Sequence, residues 1–278
     1  MASSARRRAT RESRPSRFQP VSNGAVNVIL REPGRFFAMA LDTFRAAFKP
    51  PFQWKEFLQQ AWFIVSVTVA PTILVAIPFG AILALQVGNL IRQLGAQSQT
   101  GSTAVLAIVR EASPIVTALL IAAAAGSAIC ADLGARKIRE EIDAMEVLGI
   151  NPLHRLVVPR VLACAFVGLF LNGIVSVVGI AGGYVFNVML QDGTPGAYIA
   201  SFSGLAQLPD LYQAEVKAVV FGVTAALVAS YKGLTASGGP KGVGDAVNQT
   251  VVIAAMALFV ENFVLSALYF QIIPQKGM

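Results

Sequence analysis

The chain contains few charged residues, only two cysteines and a single histidine. Charged residues make up 13% of the 278 residues, about half of the share that is usual in soluble domains. Two cysteines exclude a disulfide-rich scaffold and a four-cysteine zinc site. One histidine, His154, excludes HExxH zinc hydrolases and other multi-histidine metal sites. Hydrophobic residues make up 55%, and the mean hydropathy is +0.63. The composition therefore favours a membrane protein with several spans.

The net charge of +7 arises from the N-terminal part of the chain. Residues 1–60 contain eleven Lys and Arg and four Asp and Glu, whereas residues 61–278 contain eleven of each. A basic segment fits either nucleic-acid binding or a cytoplasmic end that faces anionic lipid headgroups. The apolar sequence behind it favours the second, without a nucleic-acid partner. We predict a disordered basic cytoplasmic tail over 1–25 and one membrane domain over 26–278.

Five long apolar segments follow the basic region. Each is long enough to cross about 30 Å of hydrocarbon as a helix, and they cover roughly 61–91, 104–131, 156–190, 215–235 and 248–273. The third is overlong and rich in glycine, which predicts a tilted, bent or broken helix. Before them, segment 35–49 is too charged to span a bilayer and indicates an amphipathic helix in the interface, with apolar residues at Phe37, Leu41, Phe44 and Phe48. The expected fold is an all-α integral membrane protein.

The Lys and Arg residues predict the orientation of the spans. With the N-terminus inside, the cytoplasmic parts are 1–60, 132–160 and 232–247, and these hold 18 of the 22 Lys and Arg residues. Because cytoplasmic loops carry the excess of basic residues, we expect a multi-pass plasma-membrane protein. Its N-terminus is then cytoplasmic and its C-terminus external.

Small residues recur at every fourth position in two of the spans. The two ridges are Ala118, Ala122, Gly126 and Cys130, and Gly222, Ala226 and Ser230. Such ridges allow helices to pack closely in lipid. They either pack the bundle itself, which is the default interpretation, or form a dimer seam.

The segment 132–155 is predicted to be cytoplasmic, yet it is patterned for packing. Apolar residues form one stripe at spacings of four, three and three, made of Ile138, Ile142, Met145 and Leu148. Charged residues four apart can pair along the same helix, as in Arg136–Glu140, Lys137–Glu141 and Arg139–Asp143. Gly149 is predicted to end the helix. The pattern alone leaves open whether this helix lies on the membrane or docks into a cytoplasmic partner.

Several motifs in this order resemble the MlaE/YrbE permeases, the membrane subunits of ABC systems that move lipids with Mce-domain proteins. The motifs are PFGAILALQ at 78–86, REASPIVTALLIAAAAGSAICADLG at 110–134, EEIDAMEVLGINPLHRLVVPRVLA at 140–163, VKAVVFG at 216–222 and YKGLTASGGPKGVGDAVNQTVV at 231–252. The resemblance implies a permease domain with a cytoplasmic coupling helix seated in a groove of the ATPase. That role carries over to Ile138, Glu140, Glu141, Ile142, Asp143, Ala144, Met145, Glu146, Leu148 and Gly149.

The resemblance also implies partners and a substrate class. It implies a cytoplasmic ABC ATPase dimer that holds ATP and Mg²⁺, so that this chain binds no cofactor itself. It further implies Mce-domain proteins on the outer face and a paralogous YrbE subunit, or a second copy of this chain. The substrate is then a lipid, with fatty or mycolic acid first and sterol second. The chain departs from the family at Ala124, where an intramembrane Arg is usual, and its basic tail is longer.

Four ionisable residues lie within or near the apolar segments. Glu261 is central in the fifth segment. It either lines a polar part of the transport path or holds a gating contact, or it pairs structurally with Lys217 or with a polar group of another span. Arg110 and Glu111 lie near the outer end of the second segment, as part of an outer mouth or as an adjacent ion pair. Cys130 and Cys164 are expected to be packing residues, and His154 is expected to be an ordinary surface histidine rather than a pH sensor.

Two other function classes compete with a lipid permease. A membrane-embedded lipid-modifying enzyme would need a catalytic cluster, yet the acidic residues gather only on the proposed docking helix. A secondary transporter would favour inverted repeats and several intramembrane ionisable residues. No GxxxxGK[ST] loop is present, since the run at 238–244 lacks the spacing and the Ser or Thr. ATP hydrolysis is therefore expected from a partner, and this chain is expected not to be an enzyme.

Overall fold

A computed structural model describes residues 23–95, 99–190, 194–200, 202 and 206–272, and these residues form helices and turns without a β-strand. The α-helices are α1 (Asn23–Ala47), α2 (Trp54–Gln93), α3 (Thr100–Ala107), α4 (Ser113–Leu120), α5 (Ser127–Ile138), α6 (Glu141–Val147), α7 (Val158–Leu190), α8 (Pro195–Ala200), α9 (Leu208–Leu234) and α10 (Gly239–Ile272). Three π-helical turns join some of them, namely π1 (Ile108–Ala112), π2 (Ile121–Gly126) and π3 (Leu153–Val157).

Five helical segments are long and apolar enough to cross a membrane. They cover Trp54–Ile91, Thr100–Ile138, Leu153–Met189, Leu208–Leu234 and Gly239–Ile272, and we call them the first to fifth spans. The predicted all-α membrane fold with five spans is confirmed. Each span begins three to nine residues before the predicted apolar segment, and α2 alone has 40 residues, about 60 Å at 1.5 Å per residue. The exposed Trp54 and Trp62 lie in its first part.

Helix α1 contains the predicted amphipathic segment. Cα proximity divides the chain into two compact units, Met1–Ala38 and Met39–Met278, and the second contains all five spans. Within the second unit, Thr43 and Ala46 are buried, whereas Leu41, Phe44 and Phe48 are exposed. This end of α1 is therefore amphipathic, as expected, and its place in the membrane interface stays a prediction. Most of the predicted disordered tail, residues 1–22, lies outside the described residues.

Most glycines of the third span, and glycines that face it on the first and fourth spans, are points of close helix contact. A Cβ atom at Gly80 would lie 2.2 Å from the carbonyl oxygen of Gly179, and one at Gly222 would lie 2.6 Å from that of Cys164. The first and third spans form the most extensive helix pair, followed by the second and fourth. Helix α7 runs without interruption from Val158 to Leu190. Of the three predicted alternatives, tilted, bent or broken, only the broken helix is wrong, because most glycines of this span admit neighbouring backbones instead of ending the helix.

The fourth span lies at the centre of the bundle and the fifth lies at its edge. We compare the most apolar stretch of 18 residues in each span. Of this stretch, 67% is buried in the fourth span and 11% in the fifth. Both small-residue ridges are buried inside this one chain, from Ala118 to Cys130 and from Gly222 to Ser230. They pack the bundle, so the alternative that they form a dimer seam is wrong. Cys130 and Cys164 are both free and fully buried, as packing residues are.

Candidate functional site

The second and third spans are joined by a short turn, residues 139–150, that we call the α6 turn. Helix α5 ends at Ile138, and Glu140 adopts a left-handed backbone with φ of 60° before α6 begins at Glu141. Left-handed backbone is uncommon for a residue other than glycine, and here it redirects the chain. The predicted single helix through Ile138 and Leu148 is therefore wrong. Gly149, with φ of 74°, ends α6 as predicted.

The break in the helix separates the members of the predicted apolar stripe. Ile138 belongs to α5, Ile142 is buried against the bundle at 4% exposure, and Met145 is half-buried. Leu148 is 74% exposed, and its neighbour Val147 is 88% exposed. The stripe therefore does not face one surface. The α6 turn instead presents a smaller apolar pair, Val147 and Leu148, surrounded by the exposed residues Asp143, Ala144, Glu146 and Gly149.

The charged residues of the α6 turn pair across the break rather than along one helix. Lys137 Nζ lies 2.5 Å from Asp143 Oδ1, and Arg139 Nε lies 2.7 Å from Glu141 Oε1. Arg136 binds Asp132 one turn earlier on α5, at 3.2 Å. The predicted pairs Arg136–Glu140, Lys137–Glu141 and Arg139–Asp143 are wrong, because the left-handed residue moves the acidic side chains out of helical register. The new pairs tie α6 to the end of the second span.

The start of the third span, directly after the α6 turn, is held by the segment that precedes the first span. Asn151 Oδ1 accepts a hydrogen bond from the backbone N–H of Leu153 at 2.9 Å, which caps the start of the third span. His154 Nε2 lies 3.0 Å from the carbonyl oxygen of Lys49, and Arg155 donates to the side chain of Gln53. The imidazole therefore has a structural contact, and the turn is anchored at both ends.

A second group of polar residues lies in the other half of the bundle, between the second, fourth and fifth spans. We call it the Arg110 cluster; its members are Arg110, Glu111, Asp210, Lys217, Asn262, Ser266 and Tyr269. Arg110 binds Asp210 Oδ1 at 2.5 Å, and the Tyr269 hydroxyl donates to the same oxygen at 2.6 Å. The guanidinium also lies 5.3 Å from the Tyr269 ring centroid. The Asp210 side chain is 2% exposed, so this carboxylate depends on its partners for solvation.

Lys217 forms the other half of the Arg110 cluster. Its side chain is 1% exposed, and Nζ lies 3.1 Å from Glu111 Oε1 and 2.8 Å from Ser266 Oγ. Asn262 donates to Glu111 Oε2 at 3.2 Å. Two cations and two carboxylates thus pair between the second and fourth spans, and the fifth span adds hydrogen bonds from neutral side chains. The expected adjacent pair between Arg110 and Glu111 is wrong, because each of the two side chains binds a residue of the fourth span.

Glu261 lies apart from this cluster. Its Oε1 accepts a hydrogen bond from the Thr224 hydroxyl at 2.6 Å, and its Oε2 is buried without a hydrogen-bond partner among the described residues. The predicted pair with Lys217 is wrong, since that ammonium binds Glu111. The other structural alternative, a polar group of another span, is found in Thr224. Glu261 is therefore a partly satisfied carboxyl group between the fourth and fifth spans.

The second span brings its functional residues into place with π-helical turns. Arg110 and Glu111 both belong to π1, and Ala124 belongs to π2. A π turn inserts one extra residue into the helix and rotates the side chains that follow it, which is why such turns are frequent at functional sites. Both turns lie at positions that the sequence analysis singled out, although no residue type indicates a π turn in advance.

The structure adds polar residues that the sequence analysis missed. Asp210 completes a capping box, because it accepts a hydrogen bond from the Gln207 N–H at 2.9 Å. A polar chain also crosses three spans: Ser176 donates to Ser113, Ser113 to Asn172, and Asn172 to Glu215 at 3.1 Å. The capping pattern could have revealed Asp210. The polar chain has no comparable signal, since its residues are scattered between positions 113 and 215.

Comparison with known proteins identifies the family. The family model described as "Permease MlaE" matches residues 57–268, which include all of the α6 turn and all but the ends of the spans. The chain belongs to the MlaE permease family. A probable ABC transporter permease of Synechocystis is 38% identical over 192 residues, covering 69% of this chain and 73% of the relative. A probable ABC transporter permease of Rickettsia bellii is 28% identical, covering 86% and 92%.

A plant protein is also similar to this MlaE-family chain. The chloroplastic protein TRIGALACTOSYLDIACYLGLYCEROL 1 of Arabidopsis thaliana is 30% identical, covering 80% of this chain and 64% of the relative. The family and these relatives identify the chain as a membrane-embedded ABC transporter permease. Such permeases work with an ATPase partner. Among the described residues, no group of three or more His, Cys, Asp or Glu is arranged to hold a metal ion.

Proposed function

We propose that the chain is one of two permease subunits of an ATP-driven Mce lipid importer. The second subunit is a paralogous permease or another copy of this chain. Together they form the lipid path, while a cytoplasmic ATPase dimer binds ATP and Mg²⁺, so this subunit holds no cofactor and is not itself an enzyme. Mce-domain proteins deliver the lipid on the outer face, and fatty or mycolic acid is the first candidate substrate.

The observation that carries the proposal is the α6 turn with its exposed apolar pair. Val147 and Leu148 protrude from a turn that is anchored at both ends and surrounded by carboxylates. An exposed pair of this kind can enter a groove of a partner, and ion pairs at the rim can add to the contact. The position agrees with the coupling role that the MlaE resemblance implies. We therefore propose that the coupling surface consists of Val147 and Leu148 with Asp143 and Glu146 beside them.

The topology supports the proposed orientation. Lys49 and Gln53, which precede the first span, contact His154 and Arg155, which follow the α6 turn. The start of the first span and the α6 turn therefore lie at the same end of the bundle. We propose that this end is cytoplasmic in the plasma membrane, because it carries most of the basic residues. With five spans, the C-terminus is then external.

The Arg110 cluster and Glu261 support a role in transport at the other end. Buried carboxylates and cations in a membrane are costly and are retained where they bind one another or line a path. The partly satisfied Glu261 is the candidate contact for a polar group on the moving lipid or on the second subunit. The fifth span leaves most of its surface uncovered, so this span is the candidate face for the path and for the second permease.

The experiment is uptake of radiolabelled fatty acid by cells that lack this chain and by the same cells after complementation. Complementation is expected to restore both uptake and co-purification of an ATPase with the tagged chain. A cholesterol arm separates the fatty-acid and sterol candidates. Unchanged uptake of both lipids in the deletion strain would contradict the importer, and a chain purified from native membranes without an ATPase would contradict the coupling.

A further inference from the structure

A chain of ion pairs connects the third span to the first residue of α6. Asp132 Oδ2 lies 2.5 Å from Arg160 of the third span, and Asp132 Oδ1 lies 3.2 Å from Arg136 on α5. Arg136 in turn lies 4.0 Å from Glu141 Oε2, at the beginning of α6. The sequence analysis predicted none of these contacts. One carboxylate, that of Asp132, therefore joins the two spans to each other and to the α6 turn.

In the Asp132–Arg160 pair, the Arg160 side chain is more deeply buried than any side chain in the ion pairs around the start of α6. The Arg160 side chain is 1% exposed and that of Asp132 is 41% exposed, whereas those of Arg139 and Glu141 are 60% and 44% exposed. Arg160 also donates to the carbonyl oxygen of Leu156 at 2.6 Å, within π3. A buried guanidinium fixes the geometry of its partners, because leaving it unpaired is costly. The Arg139–Glu141 pair, whose cation is 60% exposed, is screened more by water and constrains less.

The direction of α6 depends on this chain of ion pairs, because the backbone at the start of α6 constrains that direction only weakly. Two residues, Arg139 and Glu140, separate α5 from α6, and Glu140 is held in the left-handed region. A single residue in an uncommon backbone conformation acts as a hinge unless its surroundings hold it. Ion pairs cross this hinge from Arg136 to Glu141 and from Lys137 to Asp143, and the first of them continues to the buried Arg160.

We propose that Asp132 is a positioning residue, which holds α6 at a fixed angle to the bundle through Arg160 and Arg136. The α6 turn and the adjoining ends of the second and third spans then move as one body. A force applied to α6 reaches both spans instead of being absorbed at Glu140. This inference rests on the proposed docking of an ATPase at the α6 turn.

The first test measures the orientation of α6 in the permease alone. Spin labels are attached at Val147→Cys and Ser237→Cys, two exposed positions, and the native cysteines are buried and stay unlabelled. Pulsed electron paramagnetic resonance in nanodiscs gives the distribution of distances between the two labels. An excess of unlabelled chain is added so that the measured distances are those within one subunit. The variants are Asp132→Asn, Arg136→Gln and the double variant Asp132→Asn with Arg160→Gln, which leaves no unpaired buried charge.

The matched control is Glu146→Gln, which removes one carboxylate from α6 outside the ion-pair chain. The unsubstituted chain and the control are expected to give one narrow distance peak. The three variants are expected to lose that peak and give a broad distribution while inserting normally. Narrow peaks at the original distance in both Arg136→Gln and the double variant would overturn the proposal, even if Asp132→Asn failed to fold.

The second test asks whether the orientation transmits force. Complexes of each variant with the ATPase are reconstituted in proteoliposomes, and lipid transported is divided by ATP hydrolysed. We expect the ATPase to remain bound and this ratio to fall at least about fivefold, the lower end of usual coupling between sites. An unchanged ratio, or release of the ATPase with an unchanged distance peak, would overturn the positioning role. If even the unsubstituted chain binds no ATPase, the proposed function fails, while the distance measurement still decides the inference.

Discussion

Asp210 provides the sharpest test of the polar packing between the spans. Its carboxylate is 2% exposed, accepts hydrogen bonds from Tyr269 and the Gln207 backbone, and binds Arg110. Asp210→Asn keeps the size of the side chain and removes the charge, so the largely buried Arg110 loses the Asp210 carboxylate. Breaking one partner of a buried pair costs about 3–5 kcal/mol. Removing both charges costs less, because no unpaired charge remains.

The two buried cysteines provide the assay. A thiol-reactive fluorophore reaches Cys130 and Cys164 only when the bundle opens, so its signal on heating reports unfolding in detergent. We expect the midpoint of Asp210→Asn to fall by at least about 6 °C. The double variant of Arg110→Gln with Asp210→Asn is expected to recover part of that loss.

The matched control for Asp210 is Asp245→Asn, the same substitution at an exposed position near the start of α10. A surface change of this kind is expected to alter stability by no more than about 0.5 kcal/mol. Equal midpoints for Asp210→Asn and Asp245→Asn would refute the account of the Arg110 cluster. A double variant less stable than Asp210→Asn would refute the charge argument specifically.

Two further substitutions test the packing and the transport path. Gly222→Ala places a methyl group 2.6 Å from the Cys164 carbonyl oxygen, and we expect a loss of about 1–3 kcal/mol in the same thermal assay. Gly173→Ala meets no atom within 4 Å and is the control, so equal midpoints would contradict the close contact of the spans. Glu261→Gln keeps the hydrogen bond from Thr224 and is expected to preserve the yield of folded complex while reducing lipid uptake. A lower yield would instead assign Glu261 to structure, and wild-type yield with wild-type uptake would contradict both roles.

The sequence predicts the number and type of the helices because hydropathy is a local property. Each span contains an uninterrupted apolar run, and Gly149 and Asn151 mark helix ends through their own backbone and side-chain preferences. The helix break at Glu140 could not be predicted in the same way. Glutamate ordinarily favours helix, and its left-handed backbone arises from the packing of the surrounding turn. The predicted stripe failed for that reason.

The ion pairs within the membrane could not be assigned from the sequence. Arg110 and Asp210 are 100 positions apart, and Lys217 is 106 positions from Glu111. Which charges meet depends on the rotation of each helix about its axis, and the π turns alter that rotation within the second span. Hydropathy thus identified Arg110, Glu111, Lys217 and Glu261 as unusual residues in apolar segments. Their partners required the three-dimensional arrangement.

The central claim is that the α6 turn is the surface to which the ATPase binds, and Leu148 tests it most directly. Leu148→Asp removes an apolar anchor and places a carboxylate in the proposed groove, which costs roughly 1.5–3 kcal/mol in lost burial alone. Leu148 tests docking more specifically than Met145 does. Met145 is half-buried against its own chain, so its substitution would also disturb the permease, whereas Leu148 is 74% exposed. The control is Leu94→Asp, at a position 70% exposed at the opposite end of the first span.

The measurement is pull-down of the ATPase from membranes by each variant at low and high salt, normalised to the amount of inserted permease. We predict that Leu148→Asp reduces the bound ATPase about tenfold or more at both salt concentrations. Asp143→Asn is expected to weaken binding partially and in a salt-dependent way, and Leu94→Asp is expected to bind as the unsubstituted chain does. Wild-type amounts of ATPase on Leu148→Asp at both salt concentrations would contradict the claim.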